Sequence, residues 1–223
     1  MNRVLQIRDL NNWKSIKYAE KSLETFAPVS DLIEIETYQC YVPDTLPSFK
    51  WNENKKRTLT EKSILYTYYE LMTRIADGEK FIIMEHDAYL NPDRIDIFRK
   101  WFSDSNLDRF SIWNVGIAIE FHTLSKEIAQ TFLKIMESDH TESAKGPMSI
   151  IAKSHNRINA GKILFPVAGG VNLMCVAENT RNADKGIGEI YNSPVTQMVD
   201  RKIGVTIEHP NWSPDVNIHF IDL

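Results

Sequence analysis

An apolar run that ends on three side chains able to bind a metal constrains the fold of this chain most. The segment Phe81–Met84 is long enough for a buried strand, and Glu85, His86 and Asp87 follow it directly. Uninterrupted apolar strands are typical of parallel sheets covered on both faces, and such sheets bind ligands beyond the carboxyl ends of their strands. The run therefore predicts an interior strand of an α/β sheet, with Glu85 and Asp87 at its carboxyl edge.

The two acids are separated by one residue, so both carboxylates can approach the same hard cation. Mg²⁺ and Mn²⁺ prefer oxygen ligands and leave their remaining positions to water and phosphate oxygens. The pattern predicts a Mn²⁺ or Mg²⁺ site at Glu85 and Asp87. The alternative is a polar strand end whose acids are solvated.

The residues before this run predict a helix that leads into the strand. Thr58–Glu61 fits a capping box, and Gly78 is placed to end the helix. Between them, apolar residues recur at helical spacing at Ile64, Leu65, Tyr68, Leu71, Met72 and Ile75.

Earlier and later segments complete the predicted α/β pattern. Val4–Ile7, Trp13–Phe26 and Leu32–Ile35 indicate a strand, a helix and a second strand. Further along, Ile163–Val167 and Val171–Val176 flank two glycines and predict a hairpin. Gly204–Ile207 indicates a final strand.

Length and composition fit a single α/β domain over residues 1–223. The net charge of −4 gives no overall attraction to polyanions, so a nucleic-acid partner would need a local basic patch. The two cysteines are too few for a disulfide framework, and residues 1–8 lack the apolar core of a signal peptide. We therefore expect a cytoplasmic protein. No apolar run reaches the roughly 18 residues of a transmembrane segment, so we expect any membrane attachment to be peripheral.

The order of helix, short turn, buried strand and acidic tip resembles nucleotide-sugar transferases of the GT-A type, in which an acidic motif holds a divalent cation against the donor diphosphate. Residues 58–90 are similar to glycosyltransferase family 25, the lipooligosaccharide-type transferases. Met84–Ala88 corresponds to the Leu-Glu-Asp-Asp-Ala of that family, and Val115–Ile119 followed by Ser125–Leu133 is similar to its next strand and helix. The sequence departs from the family at Thr67-Tyr68, where a Ser-His pair is usual, and at Pro147–Ser149, where Pro-x-Asp is usual.

The resemblance implies a GT-A-like, Rossmann-like domain that moves a sugar from a nucleoside-diphosphate sugar, such as a UDP-sugar, to a hydroxyl group. It implies that Arg8 and His86 contact the donor, and that a carboxy-terminal histidine completes the metal site. His209 is the first candidate for that ligand and His219 the second. An ordinary surface histidine, a packed His86 and a solvated Arg8 are the alternatives.

The catalytic base and the acceptor stay open. An inverting reaction needs a further carboxylate as base, and the candidates are Glu120, Glu178, Asp184 and Glu189. The acceptor is either an envelope glycan or a hydroxymethylated base in bacteriophage DNA. In the second case the protein would be viral and would act in the host cytoplasm. A DNA acceptor predicts a basic patch, which Lys153, Arg157 and Lys162 could begin.

Two other classes of function compete with this interpretation. A metal-dependent phosphoesterase usually holds two metals about 4 Å apart and needs more acidic or histidine ligands than this one cluster offers. A nucleotide-binding module without catalytic activity would keep the same pocket.

Overall fold

The computed structural model describes residues 1–50, 57–90, 92, 95–104, 112–114, 121–139, 150–151, 163–167, 174–176 and 218–222. Within these ranges the α-helices are α1 (Trp13–Phe26), α2 (Leu59–Ala76), α3 (Ile95–Asp104) and α4 (Lys126–Asp139). Short 3-10 helices span Ala27–Val29 and Pro43–Thr45. No helix in the described part of the chain is long and apolar enough to cross a membrane.

The described strands are β1 (Asn2–Arg8), β2 (Ile33–Gln39), β3 (Ile82–Glu85), β4 (Ala88–Leu90), β5 (Ile112–Asn114), β6 (Phe121–Leu124), β7 (Ile163–Val167), β8 (Met174–Val176) and β9 (Ile218–Asp222). Seven of them form one sheet in the order β2-β1-β3-β6-β5-β7-β9, and β4 pairs with β8 in a second sheet. In the larger sheet, β6 pairs antiparallel with β3 and β5, and the other neighbouring strands are parallel. The predicted α/β class with a mostly parallel central sheet is confirmed.

Local signals in the sequence set the ends of α1 and α2. The Asn12 side chain accepts a hydrogen bond from the Lys14 backbone N–H and caps α1. Thr58 and Glu61 form the predicted capping box at the start of α2. Gly78, with φ of +108°, lies in the turn that follows α2, in a conformation that glycine adopts more easily than other residues. Because β1, β2 and β3 are parallel, α1 and α2 both begin at the carboxyl edge of these strands.

Helices cover both faces of the sheet around β1 and β3. On one face, Leu5 and Ile83 belong to a core with side chains of α2 and α4. On the other face, Val4 and Ile82 belong to a core with side chains of α1 and α3. Since neighbouring strand residues point to opposite faces, burial of both faces explains why the Phe81–Met84 run is continuously apolar. The predicted interior position of this strand is confirmed, because β3 lies between β1 and β6.

Two expectations about strands need correction. The predicted hairpin is wrong, because β7 pairs with β5 and β9, whereas β8 pairs with β4 in the other sheet. The second strand is longer than predicted, since β2 continues to Gln39 alongside β1. The strands predicted at Val115–Ile119 and Gly204–Ile207 lie outside the described residues.

Candidate active site

A cleft of about 680 Å³ opens at the carboxyl edge of β1 and β3. The β1–α1 connection and α1 form one wall, and α2 with the segment after β2 forms another. The end of β3 and the turn that follows it carry Glu85, His86 and Asp87 into the same cleft. The three polar residues singled out in the sequence therefore lie in the crevice where α/β sheets bind their ligands.

Glu85 is the last residue of β3, paired with Ile7 of β1. The Tyr68 hydroxyl of α2 donates a hydrogen bond to Glu85 Oε1 over 3.3 Å. Tyr68 itself is buried, and its ring stacks on His122 of β6 with centroids 6.1 Å apart and planes 12° apart. The Tyr68 ring is therefore fixed by packing, and its hydroxyl helps to orient the Glu85 carboxylate.

Asp87 is the more enclosed of the two acids, with only 7% of the residue exposed. Burial and the nearby Asp87 carboxylate raise the pKa of Glu85 to about 8, and the Tyr68 hydrogen bond opposes that rise. A raised carboxyl pKa means that the folded protein disfavours two negative charges at this place. A proton on Glu85, or a cation between the two acids, would relieve the repulsion between their charges.

His86 faces away from Glu85, as the alternation of side chains along a strand predicts. Its ring lies against Tyr18 of α1, with centroids 6.1 Å apart, whereas Glu85 contacts Tyr68 of α2 on the other face. Burial lowers the pKa of His86 to about 4, although the negative charge of Asp9 opposes this shift. A neutral imidazole offers one hydrogen-bond donor and one acceptor to a ligand in the cleft.

The end of β1 adds a cation and an acid to the cleft. The Arg8 guanidinium donates a hydrogen bond to Thr37 Oγ1, and Arg8 Nε is buried without a hydrogen bond to any described residue. Asp9 is fixed by the connection that it belongs to, because its backbone N–H donates to Ser15 Oγ over 3.0 Å and its carboxylate accepts from Asn11 N–H over 2.9 Å. The buried Nε is a donor that a bound anion could satisfy.

The segment after β2 forms the outer wall and is attached to α2. Tyr41 donates from its backbone N–H to Thr67 Oγ1 over 3.0 Å and from its hydroxyl to Glu70. Its ring packs edge-on against Tyr66, 4.8 Å between centroids. Burial and the charge of Asp9 raise the pKa of Cys40, in the same wall, to about 11. The Cys40 thiol is therefore protonated near neutral pH and lines the cleft as a small apolar group.

The chemistry of these donors fits a hard divalent cation. Glu85 and the buried Asp87 lie in one cleft, and the folded protein disfavours ionisation of both carboxyl groups at once. Oxygen is the ligand atom that Mg²⁺ and Mn²⁺ prefer. In the part of the chain that the structure describes, no group of three or more acidic, histidine or cysteine side chains is arranged to hold a metal. Within that part, Glu85 and Asp87 would be the protein ligands, and water or phosphate oxygens would take further positions.

Several residues predicted from the sequence cannot be assigned to this cleft. His209 and the candidate bases Glu120, Glu178, Asp184 and Glu189 lie outside the described residues, as do Lys153, Arg157 and Lys162. His219 is described only in its backbone, on β9, which is four strands from β3 in the sheet. At about 4.8 Å per strand the backbone of His219 lies roughly 19 Å from β3, and its role as a metal ligand stays a prediction.

The structure also identifies cleft residues that the sequence reasoning missed. Tyr68 and Asp9 line the cleft, whereas His122 contacts it only through the Tyr68 ring on which it stacks. The helical spacing predicts only packing for Tyr68, and it singles out neither Asp9 nor His122. Tyr68 follows the helical apolar spacing of α2, so nothing local distinguishes it from a core residue. A signal existed for Asp9, because it directly follows a strand that is parallel to β3 and therefore ends at the same edge.

The structure is similar to the crystal structure of the apo-form glycosyltransferase GlyE of Streptococcus pneumoniae TIGR4, with 13% sequence identity and a TM-score of 0.41. The match covers 69% of this chain and 43% of the GlyE chain. No protein-family model matches the sequence. No curated protein matches it either.

Proposed function

We propose that this protein is a metal-dependent glycosyltransferase that moves a sugar from a nucleoside-diphosphate sugar to a hydroxyl group. The observation that carries the proposal is the Glu85–Asp87 pair, which follows the interior strand β3 into a cleft where α/β sheets bind ligands. The cleft volume of about 680 Å³ lies within the roughly 300–1,000 Å³ that is usual for small-molecule and cofactor sites, and a nucleotide sugar is a ligand of that class. The resemblance of residues 58–90 to family 25 transferases gives the proposal its reaction class.

Each cleft residue has a part in this reaction. Glu85 and Asp87 would hold Mn²⁺ or Mg²⁺, which when bound stabilises the negative charge of a departing diphosphate. Arg8 would donate hydrogen bonds to a phosphate, through a guanidinium whose Nε has no hydrogen bond to a described residue. His86, neutral at pH 7, would hydrogen-bond a hydroxyl of the ribose or the donor sugar.

The donor is proposed to be a UDP-sugar, and His209 to be a further metal ligand. The acceptor is proposed to be an envelope glycan or a hydroxymethylated base in bacteriophage DNA, and the protein to act in the cytoplasm, that of the host if it is viral. If the reaction inverts the anomeric centre, the base is proposed to be one of Glu120, Glu178, Asp184 and Glu189; a retaining reaction is the alternative. These finer assignments depend on the resemblance and on residue chemistry.

The test is a panel of nucleotide sugars with Mn²⁺ or Mg²⁺, in which release of the nucleoside diphosphate is measured. Each reaction is run without an acceptor, with hydroxymethylated DNA and with a bacterial glycan extract. We expect release that requires both the cation and one of the acceptors. Acceptor-independent release of phosphate or nucleotide would indicate a hydrolase, and cation-dependent binding without any release would indicate a binding module.

The variant that tests the site is Asp87→Asn, with Asp77→Asn as its matched control. Asp77 is the exposed residue that follows α2, at the opposite end of that helix from the cleft. The same change of chemistry should abolish activity at Asp87 and leave it intact at Asp77. Full activity of Asp87→Asn, or donor binding that persists in excess chelator, would overturn the metal-dependent mechanism.

A further inference from the structure

The rim of the cleft carries exposed apolar side chains on both sides. In the β1–α1 connection and at the start of α1, Leu10 is 47% and Trp13 is 62% exposed. At the start of α2, Leu59 is 58% and Ile64 is 47% exposed. Among the described residues, Met1 is the other large apolar side chain with such exposure. Because α1 and α2 both begin at the carboxyl edge of β1 and β3, these four side chains lie at one end of the sheet.

Two lysines accompany the exposed tryptophan. The Nζ atoms of Lys14 and Lys17 lie 5.6 Å and 5.9 Å from the centre of a Trp13 ring. Neither lysine forms an ion pair with a described residue. Lys14 also lines the cleft. This corner is therefore cationic and apolar in a chain whose net charge is −4.

The acids nearest to Trp13 and Lys14 lie further along α1 or inside the cleft. Glu20 and Glu24 are exposed on the same helix. At 1.5 Å per residue they lie about 10 Å and 16 Å further along its axis than Trp13, although Glu20 is only three residues from Lys17 and is its neighbour on the helix surface. Asp9 lies in the cleft and accepts a hydrogen bond from the Asn11 N–H. The first turn of α1 therefore presents positive charge and apolar surface outward.

We propose that this surface docks on an anionic phospholipid bilayer. We call it the interfacial rim, and it consists of Leu10, Trp13, Lys14, Lys17, Leu59 and Ile64. Apolar and tryptophan side chains insert at the boundary between headgroups and acyl chains, and nearby lysines are attracted to anionic headgroups. A single-stranded nucleic acid would stack on Trp13 and contact the lysines, but it would leave the three aliphatic side chains without a role. A bilayer accounts for every member of the rim.

Docking through this rim has a consequence for the acceptor. Lys14 and Ile64 of the interfacial rim also line the cleft, so docking through the rim would bring the cleft close to the bilayer. If the proposed transferase function is correct, the acceptor hydroxyl is then carried by a molecule at the membrane surface. The docking itself does not depend on that function, since it needs neither the donor nor the cation.

The first experiment measures co-sedimentation of the full chain with vesicles, without nucleotide or metal. Vesicles of phosphatidylcholine alone are compared with vesicles that also contain phosphatidylglycerol, over a range of salt concentrations. We expect binding only to the anionic vesicles, weakened by salt. Lys17→Glu should weaken it by more than about tenfold, since each lysine near an anionic surface contributes about fivefold and the reversal adds repulsion.

Lys126→Glu is the matched control, because it changes the net charge equally at an exposed lysine. Lys126 begins α4, which follows antiparallel strand β6 and so starts at the opposite edge of β3. We expect this variant to bind within about twofold of the original chain. Equal loss in Lys17→Glu and Lys126→Glu would show an effect of net charge alone and overturn the proposed rim.

The second experiment locates the inserted side chain with phospholipids brominated on their acyl chains, which quench tryptophan fluorescence at close range. Trp13→Phe should keep most of the binding and lose the quenching, whereas Trp13→Ala should bind about tenfold more weakly. All variants change exposed or half-exposed residues, and circular dichroism checks their folding. Absence of binding to anionic vesicles at low salt overturns the proposal. So does Trp13-dependent binding of a single-stranded oligonucleotide without vesicle binding, which would make the rim a nucleic-acid surface.

Discussion

Replacing Glu85 by glutamine should stabilise the metal-free protein at neutral and alkaline pH. Glutamine keeps the size of the side chain and can still accept the Tyr68 hydrogen bond, but it carries no charge beside Asp87. Burial and the Asp87 charge raise the pKa of Glu85 from the ordinary 4.5 to about 8. Ionising Glu85 therefore costs more free energy in the folded protein than in the unfolded chain.

The size of this effect can be bounded from the pKa. The difference between about 8 and 4.5 corresponds to at most about 5 kcal/mol, at ~1.4 kcal/mol for each tenfold change in proton affinity. Glu85 is partly exposed to the cleft, so solvent there screens its charge and its repulsion from Asp87. This screening should roughly halve the value, to about 2–3 kcal/mol. An effect of this size is a large fraction of the stability of a typical domain.

The sign of the pH dependence follows from proton linkage. Below pH 4.5 both folded and unfolded chains carry a protonated Glu85, so the original chain and Glu85→Gln should be equally stable. As pH rises from 4.5 to about 8, the unfolded chain loses this proton first, and the original chain should lose stability relative to the variant. Urea denaturation at a series of pH values, with excess chelator, measures the difference.

Addition of Mn²⁺ should remove the stability difference of about 2–3 kcal/mol between Glu85→Gln and the original chain. A ligand present at about 100 times its dissociation constant stabilises the folded state by about 2.7 kcal/mol, and the variant should lose most of this gain. Glu20→Gln, on the exposed surface of α1, is the control and should differ from the original chain by less than about 0.5 kcal/mol at every pH. If Glu85→Gln were less stable than the original chain at pH 8 in chelator, the reasoning about a repulsive acidic pair would be refuted.

Three further predictions concern the cleft and the helix that supports it. A nucleoside diphosphate with Mn²⁺ should raise the melting temperature of the original chain, and Asp87→Asn should lose the part of this rise that requires Mn²⁺. Without ligands, the variant should be as stable as the original chain, because one of two repelling charges is gone. An unchanged metal-dependent rise in the variant would contradict this prediction. Tyr68→Phe should keep the fold but weaken Mn²⁺ binding roughly tenfold by titration calorimetry, since Glu85 loses an orienting hydrogen bond, whereas Tyr69→Phe should bind Mn²⁺ normally. Thr58→Ala should lower the free energy of unfolding by about 1 kcal/mol in urea through loss of the capping box, and no change would mean that the cap does not limit stability.

The elements around the cleft could be predicted because their signals are local. The capping box at Thr58 and the helical spacing after it place α2 within two residues of its observed ends. The apolar run predicts β3 within one residue, because a strand covered on both faces needs apolar side chains in both directions. The helix predicted at Trp13–Phe26 has the observed bounds of α1.

Pairing between distant segments could not be predicted in the same way. The segments of β7 and β8 carry the hairpin signal of two strands around paired glycines, yet β8 pairs with β4. Which strand edge is open to a new partner depends on the assembled sheet, and the sequence of one segment does not contain that information. The Tyr68–Glu85 hydrogen bond is missed for a related reason, because it depends on how α2 packs over β3.

The position of the acidic pair is itself an argument for a bound cation. The fold holds Asp87 buried and Glu85 in the same cleft, although burial and the Asp87 charge raise the pKa of Glu85, so that ionising Glu85 costs stability in the metal-free protein. A structural role would not require this arrangement, since Tyr68 could bond to an uncharged glutamine equally well. Arg8 is also placed with a buried Nε beside the cleft, which leaves a donor for an anion. A cation between the acids and an anionic ligand at Arg8 would offset both costs together, as a metal-bound diphosphate does.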